Sequence, residues 1–147
     1  MRTRSQLVCL VALLPVIAAA DSVRAHFLVG AIVEPHLTLT TLAAPERVQV
    51  TRADLARGYV DVAATYRIAS NDRRGYLLHF DTRTGLTRAI EVKGLAAPLM
   101  LGDLGADVHQ QVAVGAREYA LRYRLHLVPG AREGSYELPV RLDARSL

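Results

Sequence analysis

Apolar and polar side chains alternate most regularly near the carboxyl end of the chain, over residues 118–144. A period of two is typical of a β-strand that buries one face, because successive side chains point to opposite sides. Two such runs flank a connection that contains Pro129 and Gly130, so the pattern predicts a β-hairpin. The predicted core-facing residues are Tyr119, Leu121, Tyr123, Leu125 and Leu127 in the first run and Tyr136, Leu138, Val140 and Leu142 in the second.

A second regular alternation begins at Gly58 and ends at Ser70, and it predicts a central strand. The turn-forming residues 70–75 follow, and residues 76–80 read as a strand, so we expect these two strands to pair as antiparallel neighbours. Residues 52–57 could form one helical turn. The whole pattern gives about nine short strands spaced by turn signals, and it predicts an all-β, antiparallel, immunoglobulin-like β-sandwich.

The amino-terminal residues have the order of a secretory signal peptide. Arg2 and Arg4 precede an uncharged, mostly apolar run over residues 7–20, which ends in small residues. The run is shorter than the roughly 20 residues that a membrane-spanning helix needs, so we expect cleavage and no stable membrane span. Cleavage after Ala20 and cleavage after Ala25 both fit. We divide the chain into a signal helix, residues 1–25, and one domain, residues 26–147, exported to the periplasm or cell surface.

Composition narrows the classes of function. Removing residues 1–25 takes away three arginines and one aspartate, which lowers the formal net charge from +4 to +2. This charge is too small to indicate a nucleic-acid-binding surface. The one cysteine, Cys9, lies in the predicted signal, so no disulfide is expected in the mature domain.

No group of residues in the sequence has the pattern of a catalytic centre. Ser135 lacks the strand–turn–helix context of a hydrolase nucleophile. Two pairs, His79 with Asp81 and Asp107 with His109, have the spacing that places both side chains on one face of a strand. A metal site usually needs three or four ligands, and neither pair has an obvious third. We therefore expect no catalytic residues, no bound metal and no cofactor.

Four basic residues on the two predicted hairpin strands form a candidate binding stripe for an acidic surface or a glycan. They are Arg122, Arg124, His126 and Arg141. The alternative is a solvated face on which Glu137 and Asp143 form cross-strand ion pairs with the arginines, as is ordinary in sheets.

Two segments are candidate sites of strand association, because a sheet edge offers unpaired N–H and C=O groups to another chain. The first is an apolar extended run in which the candidate partner-strand residues Phe27, Val29, Ala31 and Val33 share one face. The second is the last strand, whose proline cannot donate to a ladder and therefore indicates an edge. Its edge-strand residues are Tyr136, Leu138, Pro139 and Val140.

The signal, the apolar segment over residues 27–33 and the closing sequence from Pro129 to Leu142 together resemble subunits of bacterial fimbriae assembled by the chaperone–usher route, most like the archaic branch. The resemblance implies an incomplete sandwich, completed by the amino-terminal strand of the next subunit, with other pilus-type subunits and a periplasmic chaperone as partners. The chain differs from many such subunits in having no cysteine after residue 9 and no tyrosine just before its end. The alternative is a self-complete periplasmic β-sandwich that binds a protein or small ligand.

Overall fold

Strand pairing divides the domain into two main layers. The computed structural model describes residues 30–111 and 114–147, in which ten strands and one helix follow one another. The elements are β1 (Leu37–Ala43), β2 (Arg47–Val50), α1 (Arg52–Arg57), β3 (Tyr59–Ser70), β4 (Tyr76–Thr82), β5 (Thr87–Lys93), β6 (Leu99–Leu101), β7 (Ala106–Gln110), β8 (Gly115–Leu127), β9 (Gly134–Glu137) and β10 (Val140–Ser146). The predicted signal, residues 1–25, lies outside the described residues.

The strands form a five-stranded sheet in the order β1-β3-β8-β5-β6 and a three-stranded sheet in the order β10-β4-β7. A small additional sheet pairs β2 with β9, and every pairing is antiparallel. Residues Val33–Leu147 form one compact unit, and both main sheets contribute to one buried apolar cluster. The predicted all-β, antiparallel sandwich is confirmed.

The predicted alternation correctly identifies the faces of the longest strands. β8 buries all five of the side chains that its sequence pattern places inward, and β3 does the same along its length. Val48 and Val50 of the small sheet belong to the same cluster. The least exposed large side chains are Tyr76, Tyr123, Phe80, Ile68, Leu78, Ile90, Leu101, Leu121 and Leu125.

The predicted carboxyl-terminal hairpin is wrong. β8 lies between β3 and β5, and it does not pair with the strands that follow it. The second alternating run divides at Leu138 and Pro139, so that β9 pairs with β2 and β10 pairs with β4. The Leu138 amide donates to the Glu46 carbonyl at 2.9 Å, and the Pro139 carbonyl accepts from the Arg83 amide at 2.9 Å. Pro139 has no N–H to satisfy, so it suits the point at which the chain leaves one sheet for another.

The expected pairing of residues 58–70 with residues 76–80 is also wrong. β3 belongs to the five-stranded sheet and β4 to the three-stranded sheet, so the connection between them crosses the sandwich. Asp72 stabilises this connection, because its Oδ1 accepts from the backbone N–H of Arg74 at 2.9 Å. Turn-forming residues thus mark a change of layer here and not a hairpin.

The single helical turn is present as α1 and is capped at both ends. The Thr51 Oγ1 accepts from the Asp54 amide at 3.3 Å, and the Asp54 carboxylate accepts from the Thr51 amide at 2.9 Å, which together form a capping box. Gly58 ends the helix in the left-handed conformation, with φ of 79°. These hydrogen bonds account for a helix of six residues, which would be too short to be stable alone.

Candidate functional site

Two edge strands from different sheets lie side by side. β1 is an edge of the five-stranded sheet and β10 is an edge of the three-stranded sheet, and their Cα atoms approach within 8 Å. Within residues 30–111 and 114–147, each of these strands has a paired strand on one side only. We call the neighbouring free edges of β1 and β10 the open seam. Each strand contains seven residues.

Apolar side chains along the open seam are incompletely covered. Leu37 and Leu39 of β1 and Ala144 of β10 are only partly buried against the core, whereas Leu142 is buried. Leu42, near the end of β1, is 47% exposed. The seam therefore combines free backbone groups with an accessible apolar floor, which is the chemistry that an added β-strand requires.

The chain that leads into β1 is held by one residue, Asn71, through its side chain and its backbone. The Asn71 amide group donates to the Glu34 carbonyl at 2.8 Å, and its Oδ1 accepts from the His36 amide at 2.5 Å. The backbone N–H of Asn71 also donates to the His36 carbonyl at 3.2 Å. This clamp fixes residues 34–36 immediately before β1. Sequence patterns did not identify it, because Asn71 reads as an ordinary turn residue.

The candidate partner-strand residues precede this clamp. Phe27 and Val29 lie outside the described residues. Ala31 and Val33 are exposed and belong to a segment, residues 30–36, that has no regular secondary structure. Val33 is 74% exposed and its neighbour Ile32 is 97% exposed.

The four predicted edge-strand residues do not form one strand. Tyr136 lies in β9, Leu138 and Pro139 form the link, and Val140 begins β10. The edge itself is real but is displaced toward the carboxyl end, over Val140–Ser146. The prediction placed it too early because it treated residues 136–142 as one continuous strand.

The candidate binding stripe is not assembled. Arg122, Arg124 and His126 lie on the outer face of β8, whereas Arg141 lies on the outer face of β10 in the other sheet. A sandwich presents these two faces on opposite sides, so the four residues share no surface.

Arg124 is held by its own sheet. Its guanidinium donates to Asp61 Oδ1 at 2.8 Å and to Oδ2 at 3.0 Å, and its Cζ lies 4.3 Å from the centroid of the Tyr59 ring. Hydrogen bonds from Arg124 hold the pKa of the Asp61 carboxyl below its ordinary value. Asp61 therefore takes the place of Glu137 and Asp143, which the hairpin had suggested as partners for the arginines.

His79 and Asp107 form a pair across two neighbouring strands. His79 Nδ1 lies 2.6 Å from Asp107 Oδ1, and the two residues are register partners on β4 and β7. This pairing joins one residue from each of the two sequence pairs. Across the described residues, no three His, Cys, Asp or Glu side chains are grouped so that they could hold a metal ion.

Comparisons with known proteins found no significant similarity. No protein-family model matches the sequence, and no curated protein or solved structure is significantly similar to it. Among the helices in the described part of the chain, none has the length and hydrophobicity to span a membrane.

Proposed function

We propose that the protein is an exported structural subunit of fimbrial type, without catalytic activity, which associates with its neighbours by β-strand addition. The observation that carries this proposal is the open seam. Its two free edges belong to different sheets, and one extra strand paired with the free edge of β10 would complete the sandwich.

The topology supports an incomplete immunoglobulin-like sandwich. The strands β1, β3, β8 and β5 lie in the order A-B-E-D of an immunoglobulin constant-type domain, and β10 and β4 correspond to F and C. The order of these strands along the chain agrees with the same lettering. In the complete fold, strand G pairs with strand F. Its place corresponds to the free edge of β10.

The apolar segment over residues 27–33 fits this place in length and pattern. It contains seven residues, as do β1 and β10, and seven residues of strand extend over about 23 Å. Its backbone would supply the missing ladder hydrogen bonds. Phe27, Val29, Ala31 and Val33, all on one face, would cover the partly buried leucines of β1.

A subunit with an uncovered seam is expected to need protection before assembly. Free strand edges with apolar side chains promote uncontrolled pairing between chains. A periplasmic chaperone that covers the seam, followed by exchange for the segment of another subunit, is therefore the expected sequence of partners. Export to the periplasm or cell surface follows from the predicted signal, residues 1–25.

The test uses a shortened chain that starts at Glu34, which keeps the clamp from Asn71. We expect this chain to bind a synthetic peptide of residues 26–33. A ligand at 100 times its dissociation constant raises the free energy of unfolding by about 2.7 kcal/mol, which thermal unfolding would detect. A peptide with Val29→Asp should fail to bind, whereas one with Ile32→Thr, changed on the other face, should bind.

Two results would contradict the proposal. The first is a shortened chain that is a stable monomer and whose melting temperature the peptide does not change. The second is a full chain that stays monomeric at high concentration, with residues 27–33 protected from hydrogen exchange. The second result would instead support a self-complete sandwich that acts as a binding module.

A further inference from the structure

A polar cleft lies where the chain passes from β9 to β10. Its volume is about 560 Å³, which is within the range of roughly 300–1,000 Å³ typical of small-molecule sites. It is distinct from the stripe that the sequence suggested, and only Arg141 is common to both. The lining residues that matter here are Pro45, Glu46, Arg47, Arg83, Glu137 and Arg141, with the partly buried Leu138 as apolar surface.

The walls of the cleft are held by backbone hydrogen bonds. The Leu138 amide donates to the Glu46 carbonyl and the Arg83 amide donates to the Pro139 carbonyl, both at 2.9 Å. These bonds connect three segments that are distant in sequence: the start of β2, the end of β4 and the β9–β10 link. The cleft is therefore shaped before any ligand enters, which lowers the entropy cost of binding.

Two of the three arginines of the cleft already have partners. Arg83 Nη1 lies 2.5 Å from Glu137 Oε2. Arg47 donates to Ser135 through two hydrogen bonds, one to Oγ and one to the carbonyl, each 2.9 Å long. These contacts fix the directions of both guanidinium groups and leave each with further N–H donors.

Arg141 and Glu46 differ from the other charged residues of the cleft. Among the residues that the structure describes, neither side chain has an ion pair within 4.0 Å or a hydrogen bond. One cation and one carboxylate, both exposed and without such a partner among the described residues, thus line the same cleft. A simple inorganic anion would be attracted by the first and repelled by the second.

The combination favours a ligand that carries both a carboxylate and hydroxyl groups. A guanidinium binds a carboxylate through two parallel hydrogen bonds, and a carboxylate such as that of Glu46 accepts hydrogen bonds from hydroxyls. The partly exposed apolar surface of Leu138 would contact the carbon face of a sugar ring. We propose that this cleft binds an acidic sugar, with Arg141 holding its carboxylate and Glu46 accepting from its hydroxyls.

This ligand site goes beyond strand association and does not depend on it. It would give an exported subunit a contact with acidic polysaccharide. Because Arg141 belongs to β10, the oligomeric state is measured in the same samples, so that loss of sugar binding is distinguished from loss of assembly.

The test titrates sodium glucuronate into the full chain and follows backbone amide shifts by NMR. Glucose and sodium acetate at matched ionic strength are the comparison ligands. We expect glucuronate to shift amides around Arg83 and Arg141, and to bind at least about tenfold more tightly than either comparison ligand, since charge-assisted hydrogen bonds are the stronger class. Arg141→Gln should weaken glucuronate binding by about tenfold or more.

Substitutions of Arg122 and Glu46 are the matched variants for Arg141→Gln. Arg122→Gln removes an exposed arginine on the other sheet and should leave glucuronate binding unchanged. Glu46→Ala removes the acceptor and should reduce the preference for glucuronate over acetate, because the lost charge affects both anions whereas acetate has no hydroxyls. Equal binding of glucose, equal binding of acetate, or unchanged affinity in a folded Arg141→Gln variant would each overturn the assignment.

Discussion

Two tyrosine hydroxyls meet inside the core and offer a sharp test of how the two sheets are joined. Tyr76 on β4 and Tyr119 on β8 are 2% and 4% exposed, and their hydroxyl oxygens lie 2.7 Å apart. The Tyr119 hydroxyl also lies 3.5 Å from Oε1 of Gln110. Among the described residues, Tyr119 is the only hydrogen-bond partner of the Tyr76 hydroxyl. The pair is therefore asymmetric.

This asymmetry predicts that two similar substitutions lower the free energy of unfolding by different amounts. Tyr76→Phe removes one neutral hydrogen bond, while the Tyr119 hydroxyl keeps its hydrogen bond to Gln110. We therefore expect a loss of about 0.5–1.5 kcal/mol in the free energy of unfolding. Tyr119→Phe leaves the buried Tyr76 hydroxyl without a partner, and we expect a loss of about 1–3 kcal/mol. The double variant removes both polar groups, so its cost should be smaller than the sum of the two single costs.

Urea unfolding of the three variants measures these free energies. Tyr136→Phe is the control, because the Tyr136 hydroxyl is near the surface and donates to the carbonyl of Arg132 at 2.9 Å. We expect this control to lose less than about 1 kcal/mol, since water can replace the lost bond. A larger loss for Tyr76→Phe than for Tyr119→Phe, or strict additivity in the double variant, would refute the reasoning.

Three further predictions follow from single groups. Burial raises the pKa of the Tyr76 and Tyr123 hydroxyls, so the folded state favours their neutral forms. These two groups should leave the urea midpoint unchanged below about pH 10 and lower it above that pH. Hydrogen bonds from Thr51 lower the pKa of Asp54. The contribution of Asp54 to the free energy of unfolding should therefore be complete above about pH 4 and be lost as the pH falls toward the lowered pKa. At neutral pH, Asp54→Ala should lower the free energy of unfolding by about 0.5–2 kcal/mol. Gly94 has φ of 101°, and a Cβ there would lie 2.2 Å from a carbonyl oxygen of β8. Gly94→Ala should therefore lower the free energy of unfolding by more than about 1 kcal/mol. Gly102→Ala should lower it by less, because a Cβ there would lie in open space.

Each of these predictions has a contradicting result. Tyr123→Phe should reduce the alkaline fall, and an unchanged fall would show that other groups cause it. An Asp54→Ala variant with the same acid sensitivity as the parent chain would exclude the capping box as its source. Equal unfolding midpoints for the two glycine variants would show that β5 and β8 do not approach as closely as described.

The sequence predicted which side chains are buried but not which strands are paired. Alternation is a local property, so it correctly assigned the inner faces of β3 and β8. Pairing depends on whether a connection stays in one sheet or crosses to the other, and the same turn residues serve both purposes. Among consecutive strands in the described part of the chain, only β5 and β6 pair.

Some contacts could not be predicted because their partners are distant along the chain. Asn71 forms hydrogen bonds with Glu34 and His36, which lie 37 and 35 residues earlier in the chain. Arg124 lies 63 residues from its partner Asp61. Pro139, in contrast, did indicate an interruption in the strand. A proline inside an apparently continuous strand interrupts the ladder, and here it marks the crossing between sheets.

The most direct test of strand addition is hydrogen exchange at β10, measured by NMR on the chain that starts at Glu34. We predict that the peptide of residues 26–33 slows exchange at the free-edge amides of β10, between Val140 and Ser146, by a larger factor than at the free-edge amides of β7. β7 is the opposite edge of the same sheet and therefore serves as the internal control. Unchanged exchange at β10, or equal slowing at β7, would contradict the proposal that the open seam accepts this segment.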